Sequence, residues 1–441
     1  MSAPAVESAV AERERVLTGF LEGESERLAR ACHAMARNFS RGGTLVAFGT
    51  GAAATDAAHA TVEFMHPVIV GKRALPALAP SNDPSRSAPA LVVGPDDIAL
   101  GIVHGGDDAA VTEFLDIAAQ QGALTITLAG GGEAAPSDFS FSVPSEDPQI
   151  VQEVQETAYH VLWELVHVFF EHPGLLDDHC VTCGDIAVPA TVVEVRGGTA
   201  VVERGGAREE IAADLVADVA TGDVLLCHAG VALQRLDASP DDPSGFLYPF
   251  LDAEEHDLDA VLADVRASTL QKGQDVIALR ATIDSEAIEH AAGAVRDRQS
   301  RGGRILAFGN GGSSTDAQDL VADALGRGLP AIALDNDVAT ITAVANDVGF
   351  ENVFARQIIP LGRADDVALA ISTSGASPSV LAGLAEAHGR GMLTVAISGY
   401  GGGRLIEVDW LDHLLVVPGD YVPRIQEAQA TIYHLLLARL A

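Results

Sequence analysis

Two side chains that could share an acid–base or metal-binding task, His59 and Glu63, lie four positions apart in the Ala-rich segment 52–63. In a helix this spacing places an imidazole and a carboxylate on one face, where both can reach the same metal ion or the same substrate. His160 and His434 also lie in apolar segments. A lone histidine in such a helix is more often a hydrogen-bonded core residue than a ligand.

A second candidate site is the glycine loop within residues 305–323, I-L-A-F-G-N-G-G-S-S-T-D-A-Q-D-L-V-A-D. The first four residues are typical of a buried strand, the glycines end it, and the pattern from Ser313 onward is compatible with a helix. Backbone N–H groups at such a helix start, with the hydroxyls of Ser313, Ser314 and Thr315, favour a phosphate. The alternative is a tight connection without a ligand, because neither G-x-G-x-x-G nor G-x-x-x-x-G-K-S/T is present.

A similar arrangement occurs at residues 367–377, V-A-L-A-I-S-T-S-G-A-S, where an apolar run leads directly into a hydroxyl-rich loop. These hydroxyls could instead cap a helix. Capping and phosphate binding use the same N–H groups, so the loop favours a phosphate as well.

Three motifs in order, N-G-G-S (310–313), S-T-S-G-A-S (372–377) and R-I-Q-E (424–427), with His434 downstream, resemble the sugar isomerase (SIS) fold. Within that fold they resemble the phosphoheptose isomerases, and the DnaA initiator-associating proteins share much of the pattern. The resemblance covers residues 250–441. It implies an aldose–ketose interconversion of the sedoheptulose 7-phosphate type through an enediol. The implied substrate contacts are Asn310, Gly311, Ser313, Asp337, Ser372, Thr373, Ser374 and Ser377.

Composition limits the possible partners. The chain has 441 residues, a formal net charge of −35 and 48% hydrophobic residues, enough for two or three soluble domains. So acidic a chain is not expected to bind nucleic acid or an anionic membrane. No apolar run reaches the roughly 18 residues of a membrane span, and the N-terminus is acidic where a signal peptide is basic. We therefore expect a cytoplasmic protein, and four cysteines argue against a disulfide framework.

The chain repeats itself. Three pairs of segments align: 41–49 with 301–309, 97–102 with 366–371, and 159–160 with 433–434. This predicts two copies of one α/β domain. The predicted boundaries are 1–172 for the first copy, 173–240 for an insert, 241–251 for a linker and 252–441 for the second copy. Residues 5–40 predict two amphipathic helices ahead of the first sheet.

The copies have lost different parts of the pattern. In the first copy Ala53 stands where the second has Ser313, and Asp107 and Asp108, which would repel a phosphate, replace the hydroxyl loop. Phosphoheptose isomerases bind zinc and place their acid–base pair at four positions, matched in the first copy by His59, Glu63, Gln152 and His160. The second copy has the weaker set Asp319, Asp323, Gln426 and His434.

The resemblance thus implies zinc, or another divalent metal, in the first copy, with Glu63 as the base and His160 as its acid–base partner. Phosphate loops in one copy and metal positions in the other predict a composite active site in which the copies face each other. Phosphoheptose isomerases are tetramers. The resemblance therefore also implies a chain that pairs its two copies internally and forms a homodimer, a pseudo-tetramer.

The insert is different in character, because its short Val-rich runs separated by glycine pairs predict a small β-barrel. It resembles the HypC/HupF hydrogenase-maturation chaperones, in which a cysteine helps to hold an iron fragment of the nickel–iron cofactor alongside a larger partner protein. Cys180, Cys183 and His228 stand at matching positions, although the cysteines lie inside the chain. A C-x-x-C pair could also be half of a zinc site or a redox pair, and His228 could be structural. We expect Cys183, or Cys180 beside it, to be exposed and reactive as a thiolate, and Cys32 to be buried.

The sequence therefore predicts an α/β protein of two SIS domains, each a parallel sheet flanked by helices, with an all-β barrel between them. The leading function is a sugar-phosphate isomerase linked to hydrogenase maturation and its proteins. The alternative is a non-enzymatic phosphosugar-sensing scaffold or a hydrogenase cofactor-assembly chaperone.

Overall fold

The computed structural model describes residues 3–67, 72–80, 93–106, 108–132, 134–176, 188–197, 199–204, 207–213, 216, 219–228, 231–236 and 258–440. The first copy is built on a five-stranded parallel sheet of order β2-β1-β3-β4-β5. Its strands are β1 (Leu45–Gly49), β2 (Ala77–Leu78), β3 (Ile98–Ile102), β4 (Leu124–Ala129) and β5 (Phe139–Ser142). Its helices are α1 (Ala3–Ser40), α2 (Ala53–Met65), α3 (Ala109–Gln120) and α4 (Pro148–Phe170).

A small closed barrel of order β10-β8-β7-β6-β9 follows in the chain. Its strands are β6 (Val188–Arg196), β7 (Thr199–Arg204), β8 (Ala207–Ala212), β9 (Val224–His228) and β10 (Val231–Leu236). Alternate apolar residues such as Val192, Val202 and Leu225 point inward and form its core. Cys180 and Cys183 lie outside the described residues.

The second copy has the same topology, with strand order β12-β11-β13-β14-β15 and all neighbours parallel. Its strands are β11 (Ile305–Phe308), β12 (Ala331–Ala333), β13 (Val367–Ser372), β14 (Leu393–Ser398) and β15 (His413–Val416). Its helices are α5 (Leu258–Arg280), α6 (Ser285–Ser300), α7 (Gly312–Gly326), α8 (Val338–Val348), α9 (Val353–Leu361), α10 (Pro378–Gly389) and α11 (Val422–Leu437).

These sheets confirm the predicted fold class. Strands β1, β3, β11 and β13 are buried along their whole length, which explains why they are continuous apolar runs and not alternating ones. Each sheet carries helices on both faces, as parallel crossovers require.

Helix α1 corrects one expectation. Residues 5–40, predicted as two helices, belong to a single helix of 38 residues, Ala3–Ser40. Its start places Val6 in the core of the second copy, while Leu17, Phe20 and Met35 belong to the core of the first. Packing along both copies therefore stabilises one continuous helix where the sequence predicted two.

The contact between the copies places polar side chains in the interior. Helices α4 and α11 pack against each other and are buried on nearly all sides, and α2 packs against α7. Polar groups on such helices must find partners there, because burial without a hydrogen bond is costly. In the part of the chain that the structure describes, no helix has the length and apolarity to cross a membrane.

Candidate active site between the two copies

The two hydroxyl loops of the second copy lie side by side. They follow β11 and β13, which are neighbours in a parallel sheet, so both loops emerge at the same sheet edge. The Asn310 amide nitrogen donates to Ser379 Oγ at 3.0 Å and joins them. Gly311 has φ of +59°, a conformation in which a side chain would be strained.

The start of helix α10 leaves donors available. Ser372 Oγ accepts from the Gly375 N–H and Ser374 Oγ from the Ala376 N–H, both at 3.2 Å. Ser377, at the N-cap, makes no capping hydrogen bond through its side chain. The first-turn N–H groups of this helix can therefore face an anion.

The equivalent helix of the first copy, α3, is capped differently. Asp108 accepts hydrogen bonds from the N–H groups of Ala110 and Val111 and from the Thr50 hydroxyl. These bonds outweigh a desolvation that favours the protonated acid, so the pKa of Asp108 is lowered. In the first copy the Asp108 carboxylate thus accepts from the first-turn N–H groups of α3, whereas no side chain at the N-cap does so at α10 of the second copy. Asp107 lies outside the described residues.

The first copy contributes a buried cluster. The ligand atoms of His59, Glu63 and His160 all lie within 4.8 Å of one another, and each residue is at most 2% exposed. His59 Nε2 is 3.8 Å from Glu63 Oε1, and the two imidazole rings meet edge to face with centroids 5.3 Å apart. Helix α2 supplies the first two residues at the spacing seen in the sequence, and α4 supplies the third.

The electrostatics of this cluster suit proton transfer. Burial raises the pKa of Glu63 to about 7, although His59 beside it partly offsets the effect. Burial lowers the pKa of His160 well below its usual range, and the nearby His59 and Arg424 act in the same direction. For His59, burial favours the neutral ring, but Asp316, Glu63 and Asp56 outweigh it and raise its pKa. Among the described residues, Glu63 Oε2 and His160 Nε2 are buried without a hydrogen-bond partner.

The glycine loop of the second copy closes against this cluster. A Cβ added to Gly312 would lie 2.6 Å from His59 Nε2 and 2.1 Å from the Gln426 amide nitrogen. Gln426 in turn lies 3.0 Å from His59 Nε2. The loop can approach so closely only because residue 312 has no side chain.

The glutamines are exchanged relative to the sequence alignment. Gln152, which the resemblance assigned to the metal set of the first copy, donates to Asp56 Oδ1 at 3.0 Å. The glutamine amide beside His59 is that of Gln426, from the second copy. Spacing along one helix could not reveal this exchange, because it depends on how α4 and α11 cross.

The equivalent positions of the second copy form a different network. Tyr433 donates to Asp319 Oδ2 at 2.8 Å, and His434 Nδ1 lies 2.8 Å from Glu153 Oε1. Asp323 accepts from the amide of Gln149. Within the described residues, two groups have converging metal-ligand atoms, and both include His59 and neither includes His434.

Two aspartates after β12 have distinct roles. Asp337, predicted as a sugar contact, is exposed and caps α8 by accepting from the N–H groups of Ala339 and Thr340. Asp335 was missed. It is buried, accepts from the Gly309 N–H at 3.1 Å, and burial raises its pKa to about 7. Its place at the carboxyl end of a strand was the signal that could have identified it.

The fold and this site define a protein with two SIS domains and an inserted barrel. The SIS domain family model matches residues 271–399, and the HupF/HypC family model matches residues 186–240. The chain is also similar to the C-terminal domain of glucosamine-fructose-6-phosphate aminotransferase from Francisella tularensis. The TM-score is 0.54 with 9% identity, covering 98% of this chain and 93% of that one. At such low identity this likeness concerns the fold alone.

The sequence relatives are more specific. The chain is 45% identical over 165 residues to a phosphoheptose isomerase from Roseiflexus sp., covering 36% of this chain and 83% of that protein. It is 40% identical over 182 residues to one from Citrifermentans bemidjiense, covering 40% of this chain and 93% of that protein. The chain belongs to the phosphoheptose isomerase family. The prediction of a tandem SIS protein with a HypC-like insert is confirmed.

Proposed function

We propose that this protein interconverts the aldose and ketose forms of a sugar phosphate, of the sedoheptulose 7-phosphate class, at one composite centre per chain. The observation that carries the proposal is the contact of Gly312, in the loop of the second copy, with His59 in the first. It brings the anion-binding loops of one copy to the acid–base cluster of the other. Family membership supports the reaction class.

The phosphate is held by the second copy. Ser377 makes no capping hydrogen bond at the start of α10, whereas Asp108 accepts from the first N–H groups of α3 in the first copy, so the start of α10 offers backbone donors to an anion. Ser374 is exposed at this edge and can reach a bound anion.

The proton is moved by the first copy. Glu63, whose pKa burial places near neutrality, accepts the proton from the carbon next to the carbonyl and gives an enediol. His160 transfers the hydroxyl proton between the two oxygens. Return of the carbon-bound proton from Glu63 to the neighbouring carbon completes an exchange that needs no oxidant.

A divalent metal, zinc in particular, fits the same cluster. His59, Glu63 and His160 would hold it, because their ligand atoms converge within 4.8 Å and, among the described residues, Glu63 Oε2, His160 Nε2 and the Gln426 amide oxygen are buried without a hydrogen-bond partner. When bound, the metal would polarise the substrate carbonyl.

An activity panel tests the proposal. Purified protein supplied with zinc should isomerise a heptose 7-phosphate faster than shorter ketose phosphates, and removal of the metal with a chelator should abolish this activity. Absence of activity on every phosphosugar would contradict the proposal. Retained binding of those sugars in that case would favour a phosphosugar-sensing scaffold.

The insert supports a link to hydrogenase maturation. We propose that the HupF/HypC barrel recruits a maturation protein and that Cys180 and Cys183 hold its iron fragment. His228 ends β9, and its side chain lies outside the described set. Purification from hydrogenase-producing cells should yield iron that a Cys180→Ser, Cys183→Ser double variant lacks. Equal iron in both proteins would overturn this assignment.

The second copy also presents a surface for assembly. No residue of α8 is buried, and Val338, Val348 and Phe350 are 69%, 46% and 52% exposed. Exposed apolar side chains are candidates for an interface where they lie together. We propose that two chains pair through this face into a pseudo-tetramer. Light scattering at micromolar concentration should give a dimer, and Phe350→Glu should give a monomer; a wild-type monomer would contradict the proposal.

A further inference from the structure

Both histidines of the first-copy cluster are contacted from behind by the second copy. His59 Nδ1 lies 3.4 Å from Asp316 Oδ1, and His160 Nδ1 lies 2.8 Å from Glu427 Oε1. All four side chains are at most 2% exposed, so water does not compete for these contacts.

The same geometry directs the other ring nitrogens inward. His59 Nε2 faces Glu63 and the amide nitrogen of Gln426. An amide N–H donates to a ring nitrogen only if that nitrogen carries no proton, so this contact agrees with a proton on Nδ1 of His59. His160 Nε2 is buried without a hydrogen-bond partner in the described chain.

A carboxylate at one ring nitrogen determines what the other can do. It holds the ring in place, keeps the proton on the contacted nitrogen and leaves the remote lone pair available to a metal. Here each of two histidines of the first copy receives such a carboxylate from α7 or α11 of the second.

We propose that Asp316 and Glu427 are positioning residues, through which the second copy sets the metal affinity of the first. This inference rests on the metal site of the proposed function. It explains why the second copy retains both acids although its own histidine position on α7 has become Asp319.

The duplication supplies a matched control. Asp56 occupies in α2 the position that Asp316 occupies in α7, and both are 1% exposed. Asp56 accepts from the Gln152 amide and lies 2.7 Å from His104 Nε2, and it makes no hydrogen bond to His59. The two aspartates thus differ in which side chain they contact, and not in burial or helix position.

Zinc affinity, measured by competition with a chromophoric chelator, distinguishes a carboxylate that positions a ligand histidine, Asp316, from one that is only buried nearby, Asp56. Asp316→Asn and Glu427→Gln should each weaken zinc binding by about 10- to 100-fold, the usual effect of losing an outer carboxylate. Asp56→Asn should weaken zinc binding much less, because Asp56 acts on His59 only through its charge and makes no hydrogen bond to it. Cobalt substituted for zinc should show an altered visible spectrum in Asp316→Asn and an unaltered one in Asp56→Asn, a difference that a general loss of stability would not produce.

Each outcome decides a question. Equal zinc affinity and an unaltered cobalt spectrum in Asp316→Asn and the wild type would overturn this inference and leave the proposed function standing. Equal weakening in Asp316→Asn and Asp56→Asn would also overturn it, since burial alone would then explain the loss. A wild-type chain that binds no zinc would overturn both this inference and the metal part of the proposed function.

Discussion

His160 and His434 occupy the same position in the two copies, and each meets a glutamate from the opposite copy at 2.8 Å. Their pKa values nevertheless move in opposite directions. Burial lowers the pKa of His160 well below its usual range, whereas the pKa of His434 rises to about 9 despite burial, because Asp319 and Glu153 hold its proton.

The neighbours explain the difference. Besides its burial, His160 lies near His59, Arg424 and Lys272, each of which lowers its pKa. The glutamate that meets His434, Glu153, is paired with Arg13 and Arg280, and its pKa is driven far below its usual range. One scaffold therefore carries a neutral imidazole suited to chemistry in one copy and a charged imidazole in an ion network in the other.

Replacement of Glu63, the proposed base, should have the largest effect on activity and should distinguish the two copies. Glu63→Gln removes a proton-transfer group while keeping its size, so kcat should fall by about 10²- to 10⁴-fold. The matched change Asp323→Asn, at the same helix position in the second copy, should leave kcat close to the wild-type value. Steady-state kinetics on a heptose phosphate measures both. Comparable losses of kcat in Glu63→Gln and Asp323→Asn would contradict the assignment of proton transfer to the first copy alone.

The protonated state of His434 should contribute to the free energy of unfolding. His434 is protonated in the folded state with a pKa of about 9, against 6.5 when unfolded, a difference of about 3 kcal/mol. This contribution is complete below about pH 6.5, because both states are then protonated, and it disappears as the pH rises through about 9.

Urea unfolding at pH 6.5 and at pH 9.5 measures that loss. His434→Gln should reduce the difference between the two pH values, while His160→Gln should not, because burial disfavours a proton on His160 in the folded protein. A pH dependence unaltered in His434→Gln would show that other groups dominate it.

A smaller effect is expected at the phosphate loop. Ser374→Ala deletes one hydroxyl donor to a charged group, worth about 1.5–3 kcal/mol, so KM should rise about 10- to 100-fold with little change in kcat. Asp108→Asn, at the occupied helix start of the first copy, should leave KM unchanged. A higher KM in Asp108→Asn would mean that the first copy also binds phosphate.

The smallest expected effect is a difference in reactivity between the cysteine thiols. Cys32 is buried as expected, and burial raises the pKa of its thiol far above the usual range, while burial raises that of Cys227 to about 11. Alkylation of the native protein should therefore modify Cys180 or Cys183 first. Mass spectrometry showing equal modification of Cys32 would argue against a reactive insert.

Much of this architecture could be predicted from the residues alone. The aligned segments 41–49 and 301–309 identified the duplication, and the strand, glycine turn and helix start at 305–323 were recognised as well, because these are local properties of the chain. The i, i+4 spacing of His59 and Glu63 placed them on one face of a helix for the same reason.

What those faces meet was decided only by the tertiary structure. The spacing could not show that Gln426 and not Gln152 approaches His59, that Asp316 contacts its Nδ1 atom, or that α1 continues unbroken across both copies. A helix period determines which residues share a face, but the charge and desolvation at that face come from segments far away in the chain. For this reason His160 and His434, alike in sequence, have opposite pKa shifts in the folded protein.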